Sequence, residues 1–482
     1  MTIDRWIVDA AAQNSEKTAL IFGDDALSYG DMAARVKMRA AELAGAGVAR
    51  GDRVAWYGLN HPEVFVLLFA CARIGAMLVP LNWRLAEAEV AAIVANCEPR
   101  LVVFDHHFTQ QAQALPGVRT VPVTEVLGPE AAPQGGDEDD PILLVYTSGS
   151  TGRPKGAVLT QKALICNAEM SIEAHAMTEG DVVLNVLPMF HVGGLNILPT
   201  PAFSLGATVV LHERFAPDET CAALQQVTLA ITVPTVLQAV MRSDGWADAD
   251  LSRLRALSIG STDVPVSMIE QIHARGVPVI QIYGATETCP LAIYQHIKEA
   301  FASLGSIGRA GCACDIRLMQ DDAEVALGQP GEICVRGDNV LREYWRDADL
   351  TGEMLRDGWF HTGDVATLDD AGLYWFTDRI KHVIISGGEN IYPAEIERIL
   401  REIPGVTEVA VVGRSDAKWG EIPVAVVVAD PALTGDHIMQ SLQNRLARYK
   451  HPKDVVFAQA LPRNAMGKVV AAEVRAMIDT AT

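Results

Sequence analysis

Basic charge is scarce in this chain: 39 Lys and Arg stand against 60 Asp and Glu, a formal net charge of −21 over 482 residues. That balance repels nucleic acid and anionic bilayer surfaces, so neither is expected as a partner. It says little about a small anionic ligand, which feels local donors rather than total charge. Paired cysteines are also missing. The eight cysteines, at 71, 97, 166, 221, 289, 312, 314 and 334, include no C-x-x-C pair. A zinc ribbon or disulfide framework is therefore not expected, and most of these thiols are read as reduced, buried small hydrophobes. Long apolar runs are absent too. Val64 to Ala72, the longest near the N-terminus, falls far short of the ~20 residues that a bilayer span requires. Met1 to Asn14 carries Asp4, Arg5 and Asp9 and lacks the basic start and apolar stretch of a signal peptide. The expectation is a cytoplasmic protein with no integral membrane segment.

What is present fits a globular α/β protein. A hydrophobic fraction of 49% over 482 residues exceeds what one ordinary core uses, so several folding units are expected. In the first stretch, Pro62 sits where a helix would begin, and Val64, Phe65, Leu67, Leu68, Cys71 and Ile74 follow helical spacing. Met77 to Val79 and Leu101 to Phe104 read as strands around a helix at Ala86 to Ala95. Pro129 to Pro141 is a polar, acidic connector. A second series of strands follows at Val182 to Val186, Ala207 to Leu211, Ala230 to Val233, Leu257 to Ile259 and Val279 to Ile282, with helical patterns between them. Such alternation predicts doubly wound parallel sheets. Short strands and turn signals mark Ser306 to Tyr374 as a small β unit. Past Asp378 the pattern becomes α+β, with a helix opening at Pro393, strands at Val383 to Ile385, Glu408 to Val412 and Val424 to Val428, and a helix over Ile438 to Leu446.

Five polar segments interrupt this pattern. The apolar run Ile142 to Tyr146 empties into Thr147-Ser148-Gly149-Ser150-Thr151-Gly152-Arg153-Pro154-Lys155-Gly156. Glycines that admit close approach, hydroxyls and two cations suit a polyphosphate, although the spacing is not that of a Walker A loop. Tyr283-Gly284-Ala285-Thr286-Glu287-Thr288 follows another apolar strand, where open sheets bind ligands. Glu287 there could hold Mg2+, or the segment could be a plain polar turn. Thr362-Gly363-Asp364 and Asp378-Arg379-Ile380-Lys381 offer a carboxylate and a guanidinium to ribose hydroxyls, or else a turn cap and a surface ion pair. Ser386-Gly387-Gly388-Glu389-Asn390-Ile391-Tyr392-Pro393 is either a backbone-lined passage or a tight strand-to-helix turn, and Gly467-Lys468 near the end reads alone as a solvated tail.

In this order and spacing the five segments resemble the adenylate-forming enzymes, a superfamily that includes acyl-CoA synthetases, peptide-synthetase adenylation domains and luciferase. The resemblance covers essentially the whole chain. Leu187-Pro188-Met189-Phe190-His191 and Lys418-Trp419-Gly420-Glu421-Ile422 look most like bacterial fatty-acyl or aryl-acyl CoA ligases. It implies an N-terminal domain over 1–380, built of two doubly wound α/β subdomains and a small β subdomain, and a small mobile α+β C-terminal domain over 381–482.

The resemblance also implies residue roles. Thr147, Ser148, Gly149, Ser150, Thr151, Gly152 and Lys155 would grip the ATP phosphates. Tyr283, Gly284 and Thr286 would line the nucleotide, Gly260, Ser261 and Thr262 would back the adenine, and Asp364 and Arg379 would take the ribose. Glu287, with Thr147, would hold Mg2+. Lys468 would be the main catalytic group, alongside Thr286, Glu287 and His191, and Lys381 would be the hinge. Gly387, Gly388 and Glu389 would border coenzyme A. His191, Val192, Gly193, Gly194, Asn196, Ile197, Ala285 and Leu291 would wall the acyl pocket. This stretch carries no obvious arginine, which favours an apolar acyl or aryl tail over a dicarboxylate. The implied activity is AMP-forming activation of a small monocarboxylic acid with ATP, followed by transfer to coenzyme A. An acyl-AMP ligase loading a carrier protein and a non-catalytic nucleotide-binding paralogue are the alternatives. A homodimer is the assembly considered.

Overall fold

The computed structural model describes residues 2–128, 135–148, 154–261, 264–386, 389–416, 418–443, 445–463 and 467–480. The chain divides into two compact units, Met1–Ile316 with Val335–His361, and Arg317–Cys334 with Thr362–Thr482.

The first unit holds two largely parallel sheets. In one, the strands Val279–Tyr283, Ala256–Gly260, Leu229–Thr232, Val182–Asn185, Thr208–Leu211 and Thr18–Phe22 lie side by side in parallel. Antiparallel strands close both edges, Ile293–Tyr294 with Arg309–Ala310 at one and Asp25–Ser28 at the other. In the second sheet, Thr120–Pro122, Leu101–Phe104, Arg53–Tyr57, Met77–Pro80 and Pro141–Ser148 are parallel. Pro154–Thr160 and Glu343–Tyr344 extend it antiparallel. The central strands are buried along their length, for example Leu101–Phe104 and Leu229–Thr232, which is why they read as continuous apolar runs rather than alternating ones.

The helix expected at Pro62 spans Pro62–Ile74. His61 Nδ1 accepts the Glu63 amide at 3.1 Å to cap its start, and Gly75, at φ +74°, ends it. Of its residues only Arg73 escapes burial, because the helix is apolar on every side. One departure from the sequence pattern concerns the first stretch. It is not a self-contained α/β unit, because Thr18–Phe22 pairs with Thr208–Leu211 in the other sheet. The Tyr29 hydroxyl donates to Ala207 O at 2.6 Å on the same seam.

In the second unit, Asp364 to Leu368 pairs antiparallel with Tyr374–Arg379. Val406–Asp416, Gly420–Ala429, Ile384–Ser386, Glu389–Ile391 and Asp454–Phe457 form a separate sheet. Helix Pro393–Arg401 lays Ile396, Ile399 and Leu400 against the Ile384, Ile391 and Val427 core, as its spacing predicts. The helix expected over Ile438 to Leu446 is instead Gly435–Ser441. Thr434 Oγ1 accepts the His437 amide and sets its start ahead of the apolar pattern. Its last turn tightens into three-residue bonds, Leu442 N to Met439 O and Gln443 N to Gln440 O, and a further turn follows in which Arg445 N and Leu446 N both donate to Leu442 O. All eight cysteines are free. Five are buried, as expected of most of them, and Cys312 is exposed. Among the described residues no helix is long and apolar enough to cross a membrane.

Candidate active site

The first unit gathers several of the expected residues at the ends of parallel strands. Strand Val279–Tyr283 delivers the chain to Gly284, Ala285 and a short 3-10 turn, Thr286–Thr288. A Cβ at Gly284 would lie 1.6 Å from Pro290 O, so the backbone approach excludes any other residue. The turn is closed from within: the Ala285 amide donates to Thr288 Oγ1 at 2.9 Å, and that hydroxyl donates to Pro290 O at 2.6 Å. It is also closed from outside, since Asn339 Nδ2 donates to Leu291 O at 2.8 Å and Leu341 N to Glu287 O at 2.7 Å. Thr286 and Glu287 are half-buried on this fixed frame. The Tyr344 hydroxyl donates to Glu287 Oε1 at 2.8 Å. Burial, followed by the Glu287 charge, raises the Tyr344 phenol well above its ordinary range.

Strand Ala256–Gly260 runs parallel beside it, with Gly260 opposite Ile282. A Cβ at Gly260 would meet Ile282 O at 2.5 Å. Ser261 follows at φ +77°, exposed, in the left-handed region where a glycine would be unstrained. The backbone there thus keeps a glycine-like course despite the serine. Thr262 lies outside the described residues.

The phosphate segment begins as strand rather than loop. Strand Pro141–Ser148 runs on past Tyr146 and pairs antiparallel with Pro154–Thr160, placing Thr147 opposite Lys155 and Ser148 opposite Pro154. Thr147 and Lys155 thus stand across from each other on the two strands. Gly149, Ser150, Thr151 and Gly152 lie outside the described residues.

Of the expected acyl-pocket residues, His191, Gly193 and Ala285 are half-buried, whereas Val192, Gly194, Asn196, Ile197 and Leu291 are buried. His191 precedes the one-turn helix Val192–Asn196, with its ring centroid 4.4 Å from that of Phe190. Two buried asparagines tie this helix to the Glu287 turn. Asn196 Nδ2 donates to Cys289 O at 3.3 Å. Asn167 Nδ2 donates to Asn196 O at 2.7 Å, and Asn167 Oδ1 accepts the Leu291 amide at 3.2 Å. The local sequence shows no arginine at this stretch, but the fold supplies one: the Arg84 guanidinium lies 5.7 Å from the Phe190 ring centroid and 5.0 Å from that of Trp83.

In the second unit, Asp364 and Arg379 face each other across the hairpin, with Arg379 Nε 2.8 Å from Asp364 Oδ1. Asp364 is buried and Arg379 is exposed. Lys381 is exposed in the short turn Ile380–His382. Just before it, buried Asp378 accepts the Ala394 amide at 2.7 Å and caps helix Pro393–Arg401. Gly387 and Gly388 lie outside the described residues, and the strands that flank them pair Ser386 with Glu389. Lys468 is exposed and follows Gly467, at φ +75°. The bridge between Arg463 and Val469 and the bond from Arg463 Nη1 to Gly467 O at 2.7 Å hold the base of that loop.

Sequence reasoning missed Asn167, Asn339 and Tyr344. The usable signal for the first two was an amide within a strongly apolar neighbourhood, since a buried amide needs partners. The donor set also suits Mg2+. Glu287 has one oxygen bonded by Tyr344, and the other has no hydrogen-bond partner among the described residues. One carboxylate completed by phosphate oxygens and water is a usual Mg2+ environment.

Comparison with known proteins adds the family. Residues 7–345 match the AMP-binding enzyme profile and residues 395–468 match the AMP-binding enzyme C-terminal domain. The chain is 46% identical over 503 aligned residues to an indoleacetate–CoA ligase of Aromatoleum aromaticum, covering 99% of this chain and 98% of that one. It is 41% identical to a feruloyl-CoA synthase of an Amycolatopsis species, covering 98% of each. An o-succinylbenzoate CoA synthetase from Bacillus subtilis, solved with its acyl-adenylate intermediate, superposes with a TM-score of 0.88 at 31% identity, covering 98% of this chain and 97% of that one. With a glycine-bound turn at the strand ends, an Asp–Arg pair across the hairpin and a likeness running the length of the sequence, the chain belongs to the AMP-binding enzyme family.

Proposed function

We propose that this AMP-forming acyl-CoA synthetase acts on an aryl-substituted monocarboxylic acid. The class, an acid–thiol ligase using ATP, Mg2+ and coenzyme A, is that of its relatives along the full chain. The observation that carries the chemistry is the Tyr283–Thr288 segment, whose glycine, internal bonds and Tyr344 contact hold Thr286 and Glu287 at a strand end. The aryl preference rests on the relatives: identity is 46% and 41% to the indoleacetate and feruloyl enzymes, but 34% to a long-chain fatty-acid CoA ligase of Mycobacterium tuberculosis. The aromatic pair Trp83 and Phe190 beside His191 supports it.

In this reading the substrate carboxylate attacks the α-phosphorus of ATP. A P–O bond forms, pyrophosphate leaves, and an acyl-adenylate results. The segment Thr147 to Lys155 takes the β- and γ-phosphates, Thr286 the α-phosphate, and Asp364 with Arg379 the ribose. The Lys468 ammonium offers a compact charge with three donors, able to hold carboxylate and α-phosphate together and to stabilise charge growing on the phosphoryl oxygens. Glu287, with Thr147, holds Mg2+, which when bound neutralises phosphate charge. The coenzyme A thiolate then attacks the acyl carbon, a C–S bond forms, and the C–O bond to AMP breaks. Between the two steps the 381–482 module pivots at Lys381, withdrawing Lys468 and presenting Gly387, Gly388 and Glu389 to the thiol. His191, Gly193 and Ala285 face the acyl group. Eight free cysteines suit a reducing, cytoplasmic setting.

The test is a panel of indoleacetate, ferulate, benzoate, octanoate and palmitate, assayed for AMP release with coenzyme A. An aryl acid is expected to exceed both fatty acids by about tenfold or more in kcat/KM. A palmitate optimum would overturn the aryl assignment.

A further inference from the structure

Glu343–Tyr344 joins the two parts of the site that bear on phosphate. Glu343 lies opposite Val158 and Tyr344 opposite Ala157, on the strand that begins at Pro154 and carries Lys155. The main chain on either side is pinned as well. Arg342 N donates to Val158 O at 2.8 Å, and Trp345 N donates to Gly156 O at 2.7 Å. The same short stretch also reaches the other partner, because Leu341 N donates to Glu287 O at 2.7 Å. The Tyr344 side chain closes the figure. It is only 4% exposed, and its hydroxyl meets Glu287 Oε1 at 2.8 Å. Thr351 Oγ1 accepts its amide at 2.9 Å, so the residue that holds the carboxylate is itself held.

We propose that Tyr344 is a positioning residue for Glu287, fixing the carboxylate's orientation toward Mg2+ and tying it to the hairpin that carries Thr147 and Lys155. The proposal rests on the reading of Glu287 as the metal carboxylate. A phenol that donates to one oxygen removes the freedom of the carboxylate to rotate and directs its remaining lone pairs. An orienting bond of this kind on a ligand is worth about 10- to 100-fold in metal affinity. The strand pairing does a second thing: any shift of the hairpin is transmitted to the carboxylate through a single short strand rather than through a chain of loose contacts.

The experiment uses the full-length Tyr344→Phe variant, which removes one oxygen and keeps the ring. Two Mg2+ titrations are run. One follows ATP binding by calorimetry with no acid present, and the other follows carboxylate-dependent pyrophosphate exchange. Both half-saturation points are expected to rise by about tenfold, while ATP binding measured in EDTA stays unchanged. Curves that overlay those of the parent protein overturn the proposal. A lowered melting temperature does not obscure the result, because the same substitution is repeated in the Glu287→Gln background. There the Mg2+ shift should vanish, and a shift of equal size in both backgrounds assigns it to general loosening and overturns the proposal. Glu287→Gln alone that leaves the Mg2+ curve unmoved removes the metal reading of Glu287, and the proposal with it. Absence of exchange in the parent protein with every acid tried would instead count against the ligase reading itself.

Discussion

At the scale of single residues, the most informative side chain outside the reacting site is His175. It is fully buried, with Nε2 2.5 Å from Ser258 Oγ and Nδ1 2.7 Å from Ser171 O. Burial lowers its pKa to about 4, against an ordinary value of 6.5. The unfolded chain therefore binds a proton that the native state refuses. Stability from this group is complete above pH 6.5 and is lost as pH falls toward 4. Between pH 7 and pH 5 the loss amounts to about 2 kcal/mol. His61, half-buried and likewise lowered to about 4 by desolvation, adds a slope of the same sign. Denaturant melts of His175→Gln should show a smaller drop between pH 7 and pH 5 than the parent, and an equal drop would refute the assignment. Nothing local in the sequence marks His175 as buried: Ser171 lies one turn earlier on the same helix, but Ser258 meets it only through packing. The residues that local sequence does reveal are those whose chemistry is written in neighbours: Thr147 and Lys155 among glycines and hydroxyls, and Glu287 after a strand.

At the scale of elements, the strand-to-turn junctions govern the site. Gly284→Ala would set a Cβ against Pro290 O, so the Thr286–Thr288 turn must move. Displacement of this order should reduce pyrophosphate exchange by about 100-fold, with a lower melting temperature besides. Exchange and melting both unchanged would show the turn to be pliant. Strand existence was legible where apolar runs are bounded by Gly and Pro, as at Met77–Pro80 and Leu101–Phe104. Partnership was not. Thr18–Phe22 and Thr208–Leu211 find each other across most of the first unit, and no periodicity encodes that pairing. The same limit hid Tyr344, whose strand is only Glu343–Tyr344 and carries no pattern long enough to read.

At the scale of the whole molecule, the proposed two-step reaction makes two variants complementary. Lys468→Ala is expected to lower pyrophosphate exchange by about 100-fold or more while largely sparing thioester formation from a preformed acyl-adenylate. Equal loss in both half-reactions would remove Lys468 from its role. Lys381→Pro, which fixes φ at the pivot, should spare exchange and depress the thioester step. Unaltered overall turnover would refute the pivot. The order of the five polar segments along the chain was enough to assign the class, because that order is set by the fold. The geometry around the pivot was not readable, because it depends on which amide a buried carboxylate selects. Asp378, just ahead of Lys381, selects that of Ala394, just beyond it. In the proposed cycle, a turn at Lys381 unfastens this clasp and restores it, so the hand-over from phosphorus chemistry to sulfur chemistry would carry a small toll charged at the neck of the moving part.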